Sequence, residues 1–478
     1  MNFIQSDQVQ AIRNRIDHPI IDSDGHLVEY LPLVRDFIAE DAGEVVARRF
    51  DPLMHTATAR TSVPSPAERR QLGIHSAGVW GLPTKNTLDR ATVMLPELMY
   101  RRLDELGIDF AVVYPTYGLP VMSLGDPELR CALAHSVNRY YAEVYDGLRD
   151  RLEPVAAIPT HTPEEAIAEL DHAVVDLGLK AVMLVGIVQR PYAGVNGAGR
   201  WIDTLGHDSL YDYDPVWRRC EELGVAATFH TGGQGWGTRM STVSNSYNQV
   251  GAFAAAMEGT CRSLAFGGVP MRFPKLRFAF QEGGVAWAGA LLAGIMSHWE
   301  KRNIDAIQEY DPASLDVDLL RRLFDEYATP GMAERIDRLG DSLAMLSDPD
   351  ELPSDVDQFR GSMLTGVDDL LDMFANRFYY GCEADDPMNA LAFASKLNPG
   401  GVTLPAIFAS DVGHWDVPDV RGVVPEAWEL VEHGQIDEGQ FRDFVFDNPL
   451  RLWTGTNPDF FRGTSVEDTV DNALANVR

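Results

Sequence analysis

Cysteine is scarce in this 478-residue sequence, which holds four cysteines and no CxxC pair. The four stand far apart, at Cys131, Cys220, Cys261 and Cys382. This spacing does not indicate a disulfide framework or a zinc knuckle. It suits a reducing compartment, and we expect the protein to be cytoplasmic.

Long apolar runs are also lacking, since none reaches the ~18 residues that a membrane span needs. Residues 1–17 are mixed polar and contain no apolar segment of the kind found in export signals. We therefore expect no membrane contact. Hydrophobic residues still make up 45% of the chain, enough to build a large core.

Basic residues are outnumbered, with 40 Lys and Arg against 71 Asp and Glu, for a formal net charge of -31. A surface so acidic argues against a general binder of nucleic-acid phosphates. We expect a small-molecule partner. A homo-oligomer is also expected, although no particular face indicates it.

Apolar, β-branched runs alternate with helical patterns along the whole chain, which is typical of parallel β/α units. Eight runs qualify as strands: 19–22, 110–114, 155–158, 181–185, 225–229, 276–280, 378–380 and 404–408. Eight such units predict a (β/α)8 TIM barrel spanning residues 1–478 as one domain. A doubly wound sheet is the competitor, but no G-x-G-x-x-G follows an early strand.

Two segments are longer than a β/α connection requires, at about 31–94 and about 300–376. Long insertions in a barrel usually form lids over the mouth or oligomer contacts. The first contains His75 and Trp80, which we expect to line a substrate pocket or to be structural. Trp236 and Arg239, just after the fifth strand, are further pocket candidates, with Arg239 able to meet an anionic group.

Polar residues that could bind a metal follow several of the predicted strands. Side chains alternate along an extended segment, so Asp22, Asp24 and His26 can project to one side. His230, Glu282 and Asp411 follow the fifth, sixth and eighth strands, whose carboxyl ends meet at the barrel mouth. Oxygen and imidazole ligands suit Mn, Fe, Co or Zn. Each residue alone fits a structural role better than a catalytic one, but the joint placement reverses this and favours a metal site.

Other polar residues are weaker candidates. We expect His414 to be a metal ligand or to support one. Asp22 is expected to bind metal or only to orient His26. Glu29 is expected to lie at the surface or to contact the ligands without binding the metal itself. His298 is excluded because a helix carries it far from the mouth. Lys180 starts the fourth strand, the wrong end for a ligand.

The motif Asp24-Gly25-His26, the histidine His230 and the ending Ser410-Asp411-Val412-Gly413-His414 resemble the amidohydrolase-related metal-dependent TIM barrels, which include decarboxylases and hydrolases. The resemblance implies that Asp411 is a metal-binding aspartate. Two positions of this sequence differ from the family pattern. Asp24 stands where hydrolases often have histidine, and Glu282 where many relatives have a histidine that binds a second metal or acts as general acid.

Two segments, Gln281 to Trp287 and Ile295 to Arg302, resemble a narrower branch, the TIM-barrel nonheme diiron monooxygenases of platensimycin and platencin type. This resemblance implies an O2-dependent hydroxylase of an apolar, coenzyme A-linked substrate in antibiotic biosynthesis. It implies two irons, an external electron donor, and a ligand set of Asp24, His26, His230, Glu282 and Asp411. Glu282 and His414 are the expected catalytic residues.

Two alternatives stay open. One is a mononuclear zinc or manganese decarboxylase or hydrolase, in which Glu282 acts as general acid or base rather than as ligand. The other is a degenerate barrel that serves as a binding or scaffold protein, which would require the convergent ligands to hold no metal.

Overall fold

A barrel of eight parallel strands organises the computed structural model, which describes residues 3–59, 65–76, 85–192, 199–343 and 356–477. The barrel strands are β1 Ile21–His26, β2 Phe110–Tyr114, β3 Leu152–Ile158, β4 Ala181–Leu184, β7 Ala227–Phe229, β8 Phe278–Phe280, β9 Phe378–Glu383 and β10 Ala406–Ala409. A separate antiparallel hairpin pairs β5 Val188–Pro191 with β6 Arg200–Asp203. The predicted TIM barrel is confirmed.

The first and last strands meet through backbone hydrogen bonds at the carboxyl end of β1. The N–H of Asp411 donates to the carbonyl of Asp24 at 3.0 Å, and the N–H of His26 donates to the carbonyl of Val412 at 2.7 Å. The register of β1 against β2 shifts between Asp22 and Gly25. An irregularity of this kind re-aims side chains, and here it lies beside the predicted ligands.

Helices surround the barrel strands. Those of the first insertion and its flanks are α1 Asp7–Arg13, α2 Leu31–Ala42, α3 Glu44–Ala59, α4 Pro66–Leu72, α5 Thr87–Thr92 and α6 Pro96–Leu106. The next are α7 Gly118–Val121, α8 Pro127–Val144, α9 Pro163–Leu170, α10 Asp214–Leu223, α11 Asn245–Gln249, α12 Ala252–Phe266, α13 Val269–Arg272 and α14 Ala286–Arg302. The last are α15 Val317–Tyr327, α16 Pro330–Ala333, α17 Leu339–Leu343, α18 Val367–Asp372, α19 Val423–Glu432, α20 Glu438–Arg442, α21 Asn448–Thr456 and α22 Glu467–Val477.

Burial explains why the strands formed where apolar runs occur. Every residue of β2, β3 and β4 is buried, as expected for parallel strands covered on both faces. The start of α9 follows its sequence signal, because the Thr162 side chain accepts a hydrogen bond from the N–H of Glu165 at 3.2 Å.

Both predicted insertions contain helices, α2 to α5 in the first and α15 to α18 in the second. Among the described residues, no helix is both long and apolar enough to cross a bilayer. The single-domain organisation stays a prediction.

Candidate metal centre

Four of the predicted ligands converge at the mouth of the barrel around the Nε2 atom of His26. That atom lies 3.6 Å from Oδ1 of Asp24, 3.2 Å from Nε2 of His230 and 3.2 Å from Oδ1 of Asp411. Oδ2 of Asp24 is 3.7 Å from Nε2 of His230. The strand ends therefore bring two imidazole nitrogens and two carboxylates to one point.

Glu282 and His414 extend this cluster toward solvent. Oε2 of Glu282 lies 3.1 Å from Nε2 of His230, and its Oε1 lies 3.9 Å from Nδ1 of His414. Nδ1 of His414 is also 2.7 Å from Oδ1 of Asp411. The His414 ring stacks on that of His26 with centroids 3.7 Å apart. Both predicted catalytic residues thus touch the predicted ligands.

The surroundings fix the orientation of His26. Its Nδ1 lies 3.3 Å from the carbonyl of Pro115, which leaves Nε2 for the centre. The edge of the His230 ring meets Phe253, with centroids 5.7 Å apart. Both histidines are buried.

Burial also sets the charge of the cluster. It lowers the pKa of His26 to about 4, helped by the charge of His414, and lowers the pKa of His230 well below its usual range. Burial and then the Asp411 charge raise the pKa of Asp24 and of Glu282 well above the ordinary value. Burial acts the same way on Asp411, but His414 and His26 outweigh it and its pKa falls. His26 and His230 are therefore neutral and Asp411 is ionised. Metal binding requires these protonation states of its ligands.

Two buried carboxylate oxygens, Oδ1 of Asp24 and Oδ2 of Asp411, accept no hydrogen bond, while Oδ1 of Asp411 and Oε2 of Glu282 lie against imidazole nitrogens. Buried polar atoms without partners are costly and uncommon. A divalent cation would satisfy all of them at once, so these residues fit a metal ion.

A cavity of about 280 Å³ opens beside the cluster. Its lining includes Glu282, Glu383, Asp416, Phe253 and Trp415. Sequence reasoning missed Glu383 and Asp416 as site residues. Glu383 could have been found, because it ends β9 and the same rule that selected Glu282 applies to it. Asp416 lies in a loop and carries no comparable signal.

Two weaker candidates have structural partners. Asp22 accepts hydrogen bonds from Ser410 Oγ at 2.5 Å and Ser410 N at 3.0 Å, so it joins β1 to the segment after β10. Glu29 is buried rather than at the surface. Its carboxylate accepts from the N–H groups of Tyr117 and Gly118, each at 2.8 Å.

The two residues that the sequence analysis excluded have hydrogen bonds of their own. His298 is exposed on α14 and bonds to the Gly294 carbonyl of its own helix at 2.7 Å. Lys180 donates to the carbonyls of Phe460 and Arg462, at 2.9 and 3.2 Å.

Three of the four predicted pocket residues, His75, Trp236 and Arg239, lie in or against the loop after β7. Arg239 donates to the carbonyl of Gly251, a residue of the cavity lining, at 2.9 Å. The His75 ring lies against Gly235, where an added Cβ would be 2.9 Å from Nδ1. Trp236 packs against the core, and Trp80 lies outside the described residues. Their pocket role stays a prediction.

These features define a class, the TIM barrels with metal-binding residues at the carboxyl ends of their strands. The sequence profile of the amidohydrolase family matches residues 21–343, more than half of the chain. The protein belongs to the amidohydrolase family.

The chain is also similar to an individual curated protein over part of its length. The 2-amino-3-carboxymuconate-6-semialdehyde decarboxylase of Dictyostelium discoideum is 28% identical over 185 residues, which cover 38% of this chain and 47% of that protein. The match thus spans about half the length of this curated relative.

The fold is shared by a solved amidohydrolase structure. An amidohydrolase from Mycobacterium avium subsp. paratuberculosis K-10 is 19% identical, with a TM-score of 0.52 over 92% of this chain and 100% of its own. A dihydroxybenzoic acid decarboxylase from Polaromonas sp. JS666, solved with bound manganese, is 15% identical, with a TM-score of 0.49 over 93% and 99%.

The prediction of an O2-dependent diiron monooxygenase in antibiotic biosynthesis is wrong, because the curated relative is a decarboxylase. The coenzyme A-linked substrate, O2 and the electron donor were implied only by that activity, so they lose their support. The segments that suggested the branch have structural roles. Trp287 packs against Phe280 and Tyr380, with ring centroids 5.8 and 5.5 Å apart, and residues 295–302 form the outer half of α14.

Proposed function

We propose that this protein is a metal-dependent decarboxylase that releases CO2 from a small carboxylic acid with one divalent ion, manganese or zinc. The observation that carries the proposal is the convergence of buried carboxylates on two buried histidines, with two carboxylate oxygens left without hydrogen bonds, beside a cavity of about 280 Å³. Membership of the amidohydrolase family and the similarity to a decarboxylase support it.

Asp24, His26, His230 and Asp411 would hold the ion, because their ligand atoms gather around Nε2 of His26. A bound divalent ion supplies Lewis-acid polarisation of a substrate oxygen. The chain's own part is to fix these four ligands from three strand ends and to present the cavity beside them.

Glu282 would move the proton that decarboxylation requires. The bond between the substrate carbon and its carboxylate breaks, CO2 leaves, and the electron pair stays on the carbon, which must then take a proton. Glu282 lines the cavity and contacts His230 on one side and His414 on the other. The side chain of His414 is 16% exposed and its Nδ1 lies 3.9 Å from Oε1 of Glu282. This is too far for a direct hydrogen bond, so His414 would return the proton to Glu282 through a water molecule.

The test is CO2 release from a panel of small aromatic and unsaturated carboxylic acids by manganese-loaded protein. We expect Glu282→Gln to lower kcat by about 100-fold or more, the usual contribution of a positioned acid or base. Its manganese content should equal that of the wild type, because Glu282 is not a ligand in this proposal. His298→Gln is the matched control and should retain full activity.

Two results would contradict the proposal. One is turnover of amides or esters with no CO2 release from any acid, which would make the protein a hydrolase. The other is an unchanged kcat in Glu282→Gln. The cytoplasmic location and the homo-oligomeric state stay predictions.

A further inference from the structure

A second group of metal-binding side chains lies away from the barrel mouth, where α8 packs beside α9. His135 is on α8, Glu169 is near the end of α9, and His172 lies in the π-helical segment Asp171–Asp176 that follows. One ligand atom from each of the three residues lies within 4.8 Å of the other two. No residue of this group belongs to the metal centre described above.

Glu169 is held in place by the helix opposite. Asn138 donates to Oε1 of Glu169 at 2.6 Å, and its amide is itself fixed by the backbone of Ala157 in β3, through bonds of 2.7 and 3.0 Å. Oε2 of Glu169 therefore points toward His135, with 3.8 Å to its Nδ1. This distance is too long for a hydrogen bond.

The two imidazoles stack face to face, with ring centroids 3.5 Å apart and planes 20° from parallel. Nε2 of His172 is buried and has no hydrogen-bond partner. His135 keeps 42% of its side chain exposed, so it can turn while Glu169 stays fixed. The cluster thus combines one rigid carboxylate, one buried nitrogen without a partner and one adjustable ring.

The local sequence creates this arrangement. Glu169 and His172 are three residues apart, so they project from one side of a helical turn. The π-helical turn in which His172 lies is an uncommon conformation that often marks functional positions. On α8, His135 and Asn138 show the same spacing, so one face of this helix supplies both a ligand and the residue that orients another.

We propose that His135, Glu169 and His172 form a second metal site, specific for a transition ion of the zinc type. Two imidazole nitrogens and one carboxylate oxygen are a ligand set that zinc accepts, with water in the fourth position. Binding would require that His135 rotates out of the stack, so that its nitrogen and the free Nε2 of His172 meet the ion. The bound ion would tie α8 to α9 on the barrel exterior.

The experiment counts zinc ions per chain by equilibrium dialysis and elemental analysis. The wild type should bind about one zinc more than the double variant His135→Gln/His172→Gln, because that variant retains only Glu169 of the three ligands. His298→Gln removes an exposed histidine elsewhere and should bind as much zinc as the wild type. Circular dichroism of each variant without zinc checks that the fold is kept.

The single variant His135→Gln keeps the proposal testable if the double variant fails to fold, since His135 is half-exposed. It should weaken zinc binding at this site by about tenfold or more. Equal zinc content and equal affinity in the wild type and in His135→Gln would overturn the proposal, and the stacked pair would then be structural.

Discussion

Glu282 and Asp411 share a strained backbone conformation directly after their strands. Their φ angles are +57° and +49°, in the left-handed region that residues other than glycine rarely adopt. Such strain costs on the order of 1 kcal/mol or more and persists only where the surroundings impose it. For Asp411 the constraint is visible, because its N–H bonds to β1. The strain turns both carboxylates into the barrel mouth.

His161 gives the protein a pH dependence that is independent of the metal centre. Burial, then the charges of Arg130 and Arg190, lower its pKa to about 4. In the unfolded chain the pKa is 6.5, so between these values only the unfolded state binds the proton. The stability that neutral His161 preserves is present above pH 6.5 and is lost as pH falls toward 4.

We therefore expect His161→Gln to lose less stability than the wild type between pH 7.5 and pH 5. The difference should be about 1 kcal/mol, because His161 is partly exposed and solvent screens part of the effect. Urea unfolding at both pH values measures it. His298→Gln should follow the wild type. Identical pH dependence in wild type and His161→Gln would contradict the assignment.

At the scale of elements, the junction of β1 with the chain after β10 depends on Asp22 and Ser410. The Ser410 hydroxyl and N–H both donate to the Asp22 carboxylate, and the N–H of Asp24 adds a third bond at 3.2 Å. Gly25 is required there, since a Cβ would lie 2.7 Å from Oδ2 of Asp22.

Ser410→Ala should lower the free energy of unfolding by about 1–2 kcal/mol, because a buried carboxylate oxygen loses its hydroxyl donor. It should also weaken manganese binding, since Asp24 and Asp411 are positioned by the same junction. Urea unfolding and metal titration measure both effects. Ser314→Ala, on an exposed 3-10 turn, is the control. A loss of stability without any change in manganese affinity would show that the Asp22–Ser410 junction does not position the metal ligands.

The elements that sequence predicts best are those whose burial is uniform. Each of the eight barrel strands overlaps a predicted apolar run, because a strand covered on both faces is usually apolar. The overlap is smallest for β1, which shares only Ile21 and Asp22 with the predicted run and continues through polar residues to His26. The hairpin of β5 and β6 was missed, since Val188–Pro191 alternates buried and exposed residues and is only four residues long. The residues predicted at strand ends come together at the barrel mouth. The position of Glu29 was ambiguous, because its hydrogen bonds come from Tyr117, Gly118 and Tyr141, which are distant in sequence.

The metal and the reaction could not be predicted from the sequence as well as the barrel strands. Carboxylates and histidines bind iron, manganese and zinc alike, so the ligand types at Asp24, His26 and Asp411 do not select a reaction. The segment from Gln281 to Trp287 looked specific, but part of it serves packing. The Gln281 side chain donates to the carbonyl of Ser23 and the hydroxyl of Tyr114, at 2.9 and 3.0 Å.

At the scale of the whole molecule, the metal centre joins the two ends of the barrel. Asp24 and His26 come from β1, His230 follows β7, and Asp411 follows β10. A bound ion would therefore connect strands that the chain brings together only when the barrel is complete. Because the unfolded chain cannot assemble this set, metal binding stabilises the folded state alone.

We expect manganese to raise the Tm of metal-depleted protein by several degrees. At a free concentration of 100 times Kd the stabilisation is about 2.7 kcal/mol, and it should grow with the logarithm of the concentration. Differential scanning calorimetry after chelation and re-addition measures the shift. Asp411→Asn is the matched variant, since asparagine tolerates the left-handed backbone of this position but lacks the charge. Its Tm should respond far less to manganese. An equal response in both proteins would mean that the stabilising ion binds elsewhere and that Asp411 is not a ligand.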